Sequence, residues 1–182
     1  MCLGRLLWPI IAFVLALPTM TTATATAETT LPPFAFIKYC IASPDDCANS
    51  EITAITPRMV KQLRIVNDRV NRTMRYMPDP KGTDIWQDDG IEGDCEDYAL
   101  AKRRQLIRLG WPPNLLRIAI GRTLDGIGHA VLVAKVGGLD LVLDSINPAI
   151  KPFSDVNVRW ISIQSDFDTK IWSKLGPGAS SA

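Results

Sequence analysis

Hydrophobic and polar positions divide the chain into a helical half followed by a strand-like half. Thr56 reads as an N-cap with Pro57 at the first helical position, and Val60, Leu63, Val66, Val70, Thr73 and Met77 then recur at helical spacing. This predicts a helix running to Met77. Glu28–Phe36, which contains prolines, reads as a lead-in, and Pro78–Asp94, with Gly82, Gly90, Gly93 and many acids, as a loop. A second helix is expected over Cys95–Leu109 (CEDYALAKRRQLIRL), with Ala99, Leu106 and Leu109 on its inner stripe and Gly110 as its stop.

Beyond Trp111-Pro112-Pro113-Asn114 the pattern changes. Leu116–Arg122, His129–Val136, Leu139–Leu143 and Val158–Ile163 are short and rich in Val, Ile and Leu, as strands are. Gly137-Gly138 is a two-residue hairpin signal. Helices followed by strands predict an α+β domain, its N-terminal helices packed on a mostly antiparallel sheet.

The hairpin fixes a register. If Gly137 and Gly138 are the turn, Val136 pairs with Leu139, Val131 with Asp144 and His129 with Ile146. Asp144 then lies diagonally beside His129 on one face. A slip of one residue would separate them.

The N-terminus carries the pattern of a secretory signal peptide, residues 1–27. Arg5 is followed by the apolar run Leu6–Leu17, the breaker Pro18, and the small-x-small site Ala25-Thr26-Ala27. The run is shorter than the about 20 residues a membrane span needs, although an uncleaved anchor is the competing reading. Residues 28–175 then form one domain, and the tail 176–182 (GPGASSA) is expected to be disordered. Lys and Arg number 20 against 19 Asp and Glu, a balance that argues against nucleic acid as partner.

Cysteine usage sharpens this picture. Cys2 leaves with the signal. Cys40 and Cys47 flank a turn-rich stretch, so a local disulfide is the natural reading in an oxidising compartment. Two free thiols, or a bridge from Cys95 to either, remain open. The local bridge leaves Cys95 as an unpaired thiol at a helix N-terminus, where the backbone N–H groups and macrodipole favour thiolate. With the single histidine His129 and with Asp144, it supplies a nucleophile, an imidazole base and an orienting carboxylate. Asp84, Asp88, Asp89, Glu92, Asp94, Glu96 and Asp97 crowd the same region and should raise the thiol pKa unless a cation such as Ca²⁺ cancels their field. A solvated acidic helix start is the plainer account of the same acids.

The segment GDCEDYALAKRRQLIRLGW (Gly93–Trp111), with GHAVLV (Gly128–Val133) and LVLDS (Leu141–Ser145), resembles the bacterial transglutaminase-like cysteine proteinases. The resemblance extends from about Tyr39 to Trp172 and includes the Cys40/Cys47 pair and Val70–Asp79. It implies a papain/transglutaminase-like fold, export to the periplasm, and a catalytic triad of Cys95, His129 and Asp144. The family's well-understood members are calcium-dependent proteases that release surface adhesins. Their calcium site would map here onto Asp94, Glu96 and Asp97. The stretch Asp84–Gly93 (DIWQDDGIEG) is shorter than its family counterpart, which leaves Trp86, Gln87 or the Cys95 backbone N–H as oxyanion donor.

The expected activity is therefore that of a periplasmic thiol endopeptidase. A transglutaminase or acyltransferase with the same triad, or a non-catalytic binding module, are the alternatives. Expected partners are a protein or peptide substrate and an inner-membrane regulatory protein, with the enzyme itself a monomer.

Overall fold

The computed structural model describes residues 28–51 and 54–176. The expected signal peptide, and the tail beyond Gly176, lie outside the described residues. Among the described residues, three α-helices, α1 (Phe34–Ala42), α2 (Pro57–Thr73) and α3 (Cys95–Arg108), accompany nine strands. These are β1 (Thr29–Thr30), β2 (Arg75–Tyr76), β3 (Glu92–Gly93), β4 (Leu116–Arg122), β5 (Gly128–Val136), β6 (Leu139–Leu143), β7 (Lys151–Pro152), β8 (Arg159–Gln164) and β9 (Trp172–Lys174). Seven form one sheet in the order β1-β9-β8-β4-β5-β6-β7, and every neighbouring pair is antiparallel. The α+β class and the helices-on-sheet arrangement hold. Among the described residues, no helix is long and apolar enough to cross a membrane.

The sheet is buried on both faces. Leu132, Ala134 and Leu143 join Phe36, Leu63, Val66, Leu100, Leu106 and Trp172 in the main core beneath the helices. Val131, Val133 and Val142 pack with Phe153 and Ile163 in a smaller core, capped by the stacked rings of Phe153 and Trp160. Burial on both sides is why β5 reads as an unbroken apolar run without alternation.

Several expectations need correction. The first helix stops at Thr73, not Met77: the Arg75 N–H donates to Ile91 O and the Met77 N–H to Gly93 O, in a short parallel ladder of β2 with β3. The stripe therefore ends at Val70 and Met74, while Val60 and Met77 are exposed. Leu109 is the C-cap of α3 and is exposed, so the inner stripe ends at Leu106. The lead-in holds a strand, β1, and the start of a helix, α1. α1 is apolar on several sides, burying Phe36 and Tyr39 while exposing Phe34 and Ile41, so no polar face announced it.

Candidate active site

The site forms where β5, β6 and the N-terminus of α3 meet. Gly137 and Gly138 adopt positive φ of 54° and 84°, as the tight hairpin requires, and Val136 pairs with Leu139 in the expected register. The ladder runs to Leu132↔Leu143 and stops there. The expected backbone pairs Val131↔Asp144 and His129↔Ile146 do not form. Asp144 Oδ1 instead accepts the Ile146 N–H at 3.0 Å, a local turn, and Asn71 Nδ2 of α2 donates to Asp144 O at 2.9 Å. The side chains nevertheless meet: His129 Nε2 lies 2.9 Å from Asp144 Oδ1 in a buried contact.

The end of β6 has a second consequence. Past it, the Ala130 N–H is free to donate to Cys95 Sγ at 3.3 Å. Cys95 is the first residue of α3 and is thereby set against the start of β5, beside His129. His129 Nε2 is taken up by Asp144, which leaves the other ring nitrogen, Nδ1, outside that pair. Burial alone would raise the Asp144 pKa. The His129 hydrogen bond, the Ile146 N–H and the charges of His129 and Lys102 outweigh it and hold the carboxyl below its ordinary value.

The helix start is braced by Asp97. Its carboxylate accepts the Asp94 N–H at 3.1 Å and the Gln87 N–H at 2.8 Å, closing the acidic loop onto α3. This brace requires glycine at Gly93: φ is 154°, and a Cβ there would stand 2.1 Å from Asp97 Oδ2. Burial raises the Asp97 pKa to about 7.

Cys95 Sγ also donates to Glu96 Oε2, at 3.0 Å. Burial first, and the Glu96 carboxylate second, push the thiol pKa well above its ordinary value, against the Ala130 N–H, which favours thiolate. Glu96 itself is raised to about 8 by burial and by its hydrogen bond with Asp94.

Among the described residues two clusters could hold a cation, Asp79–Asp84–Glu96 and Asp94–Cys95–Glu96, each with one ligand atom per residue all within 4.8 Å of one another. Glu96 belongs to both, Asp94 to one and Asp97 to neither; the Asp97 oxygens are engaged by the backbone. Asp94 Oδ1 is buried without a hydrogen-bond partner. The all-carboxylate set Asp79–Asp84–Glu96, with the orphaned buried oxygen of Asp94 beside it, fits a hard divalent cation such as Ca²⁺. Sequence reasoning omitted Asp79 and Asp84 from the ligand set. Asp79 arrives from the far end of the loop, and only the loop's path brings it to Glu96.

Of the suggested oxyanion donors, Trp86 Nε1 donates to Asp84 Oδ1 at 2.9 Å and the Gln87 N–H to Asp97. The Cys95 N–H, at the first helical position, has no acceptor within the helix. Away from the site, Cys40 and Cys47 form a disulfide and Cys95 is a free thiol. Tyr39 Oη, beside that bridge, lies 2.7 Å from both Asp46 Oδ2 and Asp88 Oδ2, and Arg104 grips Asp88 at 2.5 Å. This chain of contacts ties the disulfide turn to the acidic loop.

A family model described as bacterial transglutaminase-like cysteine proteinase (BTLCP) matches residues 26–180. No curated protein matches the chain. Among solved structures, calcium-bound LapG of Legionella pneumophila is similar at 29% identity with a TM-score of 0.55, over 70% of this chain and 75% of that one. An EGTA-treated form of the same protein is similar at 29% identity with a TM-score of 0.51, over 60% and 64%.

Proposed function

The chain belongs to the bacterial transglutaminase-like cysteine proteinases, and from that premise we propose that it is a calcium-dependent periplasmic endopeptidase working through a Cys95–His129–Asp144 triad. That it is a cysteine peptidase follows from the family. The observation that carries the finer reading is the meeting of Cys95 with the start of β5, through the Ala130 N–H, next to a buried His129–Asp144 pair.

In this mechanism His129 Nδ1 takes the Cys95 proton, and the thiolate attacks the scissile carbonyl. The oxyanion forms against the Cys95 N–H. Collapse breaks the C–N bond, His129 returns its proton to the leaving amine, and a thioester remains on Cys95. Water, deprotonated by His129, then releases the acid. Asp144 holds the imidazole tautomer and stabilises the imidazolium.

Asp79, Asp84 and Glu96, with Asp94 beside them, are the residues that would hold calcium, and Asp97 braces the helix start they surround. The ion would cancel the acidic field on the thiol and so favour thiolate. The calcium-bound and EGTA-treated forms of LapG support this reading by similarity. Export is supported by the N-terminal sequence pattern and by the Cys40–Cys47 disulfide, which suits an oxidising compartment. The substrate is proposed to be a cell-surface protein of the adhesin type, the regulator a protein of the inner membrane, and the enzyme a monomer.

The test is covalent labelling of the purified protein with an electrophilic peptide probe in calcium and in chelator, together with cleavage of unfolded protein substrates. Labelling on Cys95, lost in C95A along with cleavage, is expected. Cleavage by C95A at the wild-type rate would refute the proposal. Transfer of a labelled amine in preference to hydrolysis would instead make the protein an acyltransferase.

A further inference from the structure

Two consecutive residues of α3, Lys102 and Arg103, are fully buried cations, and they are satisfied in opposite ways. Arg103 donates from Nε to Leu116 O at 2.8 Å, from Nη2 to Pro113 O at 3.2 Å, and from Nη1 to Asp46 O. Its fork ties the helix to the disulfide turn and to the start of β4, which is a structural task. Lys102 has three donors and makes one long hydrogen bond, 3.4 Å, to Leu143 O. A buried ammonium so poorly satisfied weakens a fold. The flanking positions Ala99, Leu100, Ala101 and Leu106 are apolar and buried, so an apolar residue would suit position 102 better. Packing therefore does not account for a lysine there.

What surrounds its ammonium does. Leu143 is the last residue of β6, and Asp144 follows it. Asp144 is the charged group whose field acts on Lys102, and Lys102 in turn acts on Asp144. His129 approaches from β5 and is bonded to Asp144. From α2 the same turn receives neutral groups, Asn71 on Asp144 O and Asn67 Nδ2 on Pro148 O at 2.9 Å. The turn that carries Asp144 is thus held by hydrogen bonds from two helices, and one of the donors is a cation.

Resting on the triad reading above, we propose that Lys102 is a positioning residue: its buried ammonium, anchored on Leu143 O, holds the end of β6 so that Asp144 is oriented as the acceptor of His129 Nε2–H. Burial pulls Lys102 down to about 7, and the Asp144 charge works against that pull. The ammonium is therefore the form present below about pH 7, where it anchors the turn.

The experiment compares the full chain with K102M, K102Q, K102R and D144N in saturating calcium. Each is measured for thermal stability and for the rate of Cys95 alkylation by iodoacetamide as a function of pH. Without the lysine, Asp144 holds the His129 imidazolium less well, so the thiolate that the imidazolium supports should form at higher pH and the K102M profile should move up. The rate at neutral pH should fall about tenfold for each pH unit the profile moves. Its Tm should hold or rise, because the lysine is costly to bury. K102Q, which loses the charge and keeps a polar head, should move the profile the same way and carries the test if K102M does not fold. K102R should recover part of the wild-type profile. In the D144N background, K102M should add little, since the lysine acts through that carboxylate.

A lower Tm with an unmoved alkylation profile in K102M and K102Q would overturn the proposal and leave Lys102 a packing residue. A profile moved by D144N but not by either lysine variant would overturn it while sparing the triad. A profile that D144N leaves in place would overturn both.

Discussion

The Cys95 thiol is turned toward the carboxylate of its own chain neighbour, Glu96, with Sγ 3.0 Å from Oε2. That contact restrains the proposed nucleophile. Burial first, and the Glu96 contact with it, push the thiol pKa well above its ordinary value. A peptidase at rest with a protonated thiol needs something to draw Glu96 away, and Glu96 belongs to both acidic clusters able to take a cation.

The first prediction concerns this pair. In chelator, wild-type alkylation by iodoacetamide should be slow at neutral pH. Calcium should accelerate it by at least about tenfold, as a thiol pKa lowered by one would. E96Q removes one ligand and, above about pH 8 where Glu96 ionises, the negative charge beside sulfur. Above that pH it should alkylate faster than wild type in chelator, and it should respond little to calcium. Equal rates for both proteins in chelator above about pH 8 would show that Glu96 does not restrain the thiol.

The second prediction follows from the raised Glu96 carboxyl. Its pKa rises from 4.5 to about 8 in the fold, and that of Asp97 from 3.8 to about 7. A raised carboxyl contributes stability that is fully present below its unfolded pKa and is lost as pH climbs through its folded one. Calcium-free protein should therefore lose thermal stability between about pH 4.5 and pH 8. Calcium needs the ionised carboxylate, so its stabilising effect should grow across the same window and its binding should release protons. Melting curves with calcium and with chelator, and titration calorimetry in buffers of different ionisation heat, read both effects. A flat calcium-free profile would count against the buried, protonated Glu96.

Some of this was legible in the chain. Gly137-Gly138 set the hairpin register from Val136↔Leu139, which put His129 and Asp144 on a common face, and the spacing of Cys40 and Cys47 pointed to the bridge. Asp144, however, is presented by a turn beyond the last ladder pair, because Ile146 and Asn71 take its Oδ1 and its carbonyl. Such a departure depends on groups from α2 that lie far away in sequence. Lys102 escaped for a related reason: within KRRQ it reads as one more surface cation, and only the packing of α3 shows it to be buried. The Ala130 N–H had no signal at all, since any residue supplies one.

The third prediction concerns the disulfide and its link to the loop. The Cys40–Cys47 bridge closes a short turn, and its loss in C40S/C47S should cost about 2–3 kcal/mol by the chain-entropy argument. Y39F removes the hydroxyl that touches Asp46 and Asp88, leaving Asp88 to Arg104 alone, and should cost about 1–3 kcal/mol. Chemical denaturation reads each. Both variants should still alkylate at Cys95 in saturating calcium, because neither touches the thiol. Loss of alkylation at full stability would mean that the turn communicates with the site.

The fourth prediction concerns the unity of the proposed triad. His129 Nε2 faces Asp144; in the proposed triad a proton on that nitrogen would fix the tautomer and leave Nδ1 as the base. D144N exchanges a carboxylate for a group that can donate to Nε2 and so favour the wrong tautomer. It should lower peptidase activity by orders of magnitude, although the side chain keeps its shape. H129Q and C95A should each cost as much or more, and the double variants should fall no further than the worse single one, because a step that needs all three groups is already lost with any one. Nitrogen NMR of the single histidine checks the premise directly: Nε2 should be protonated in wild type, and the tautomer should change or become mixed in D144N. Additive losses across the double variants, or an Nδ1–H tautomer in the wild-type protein, would show that Asp144 does not serve the reaction through His129.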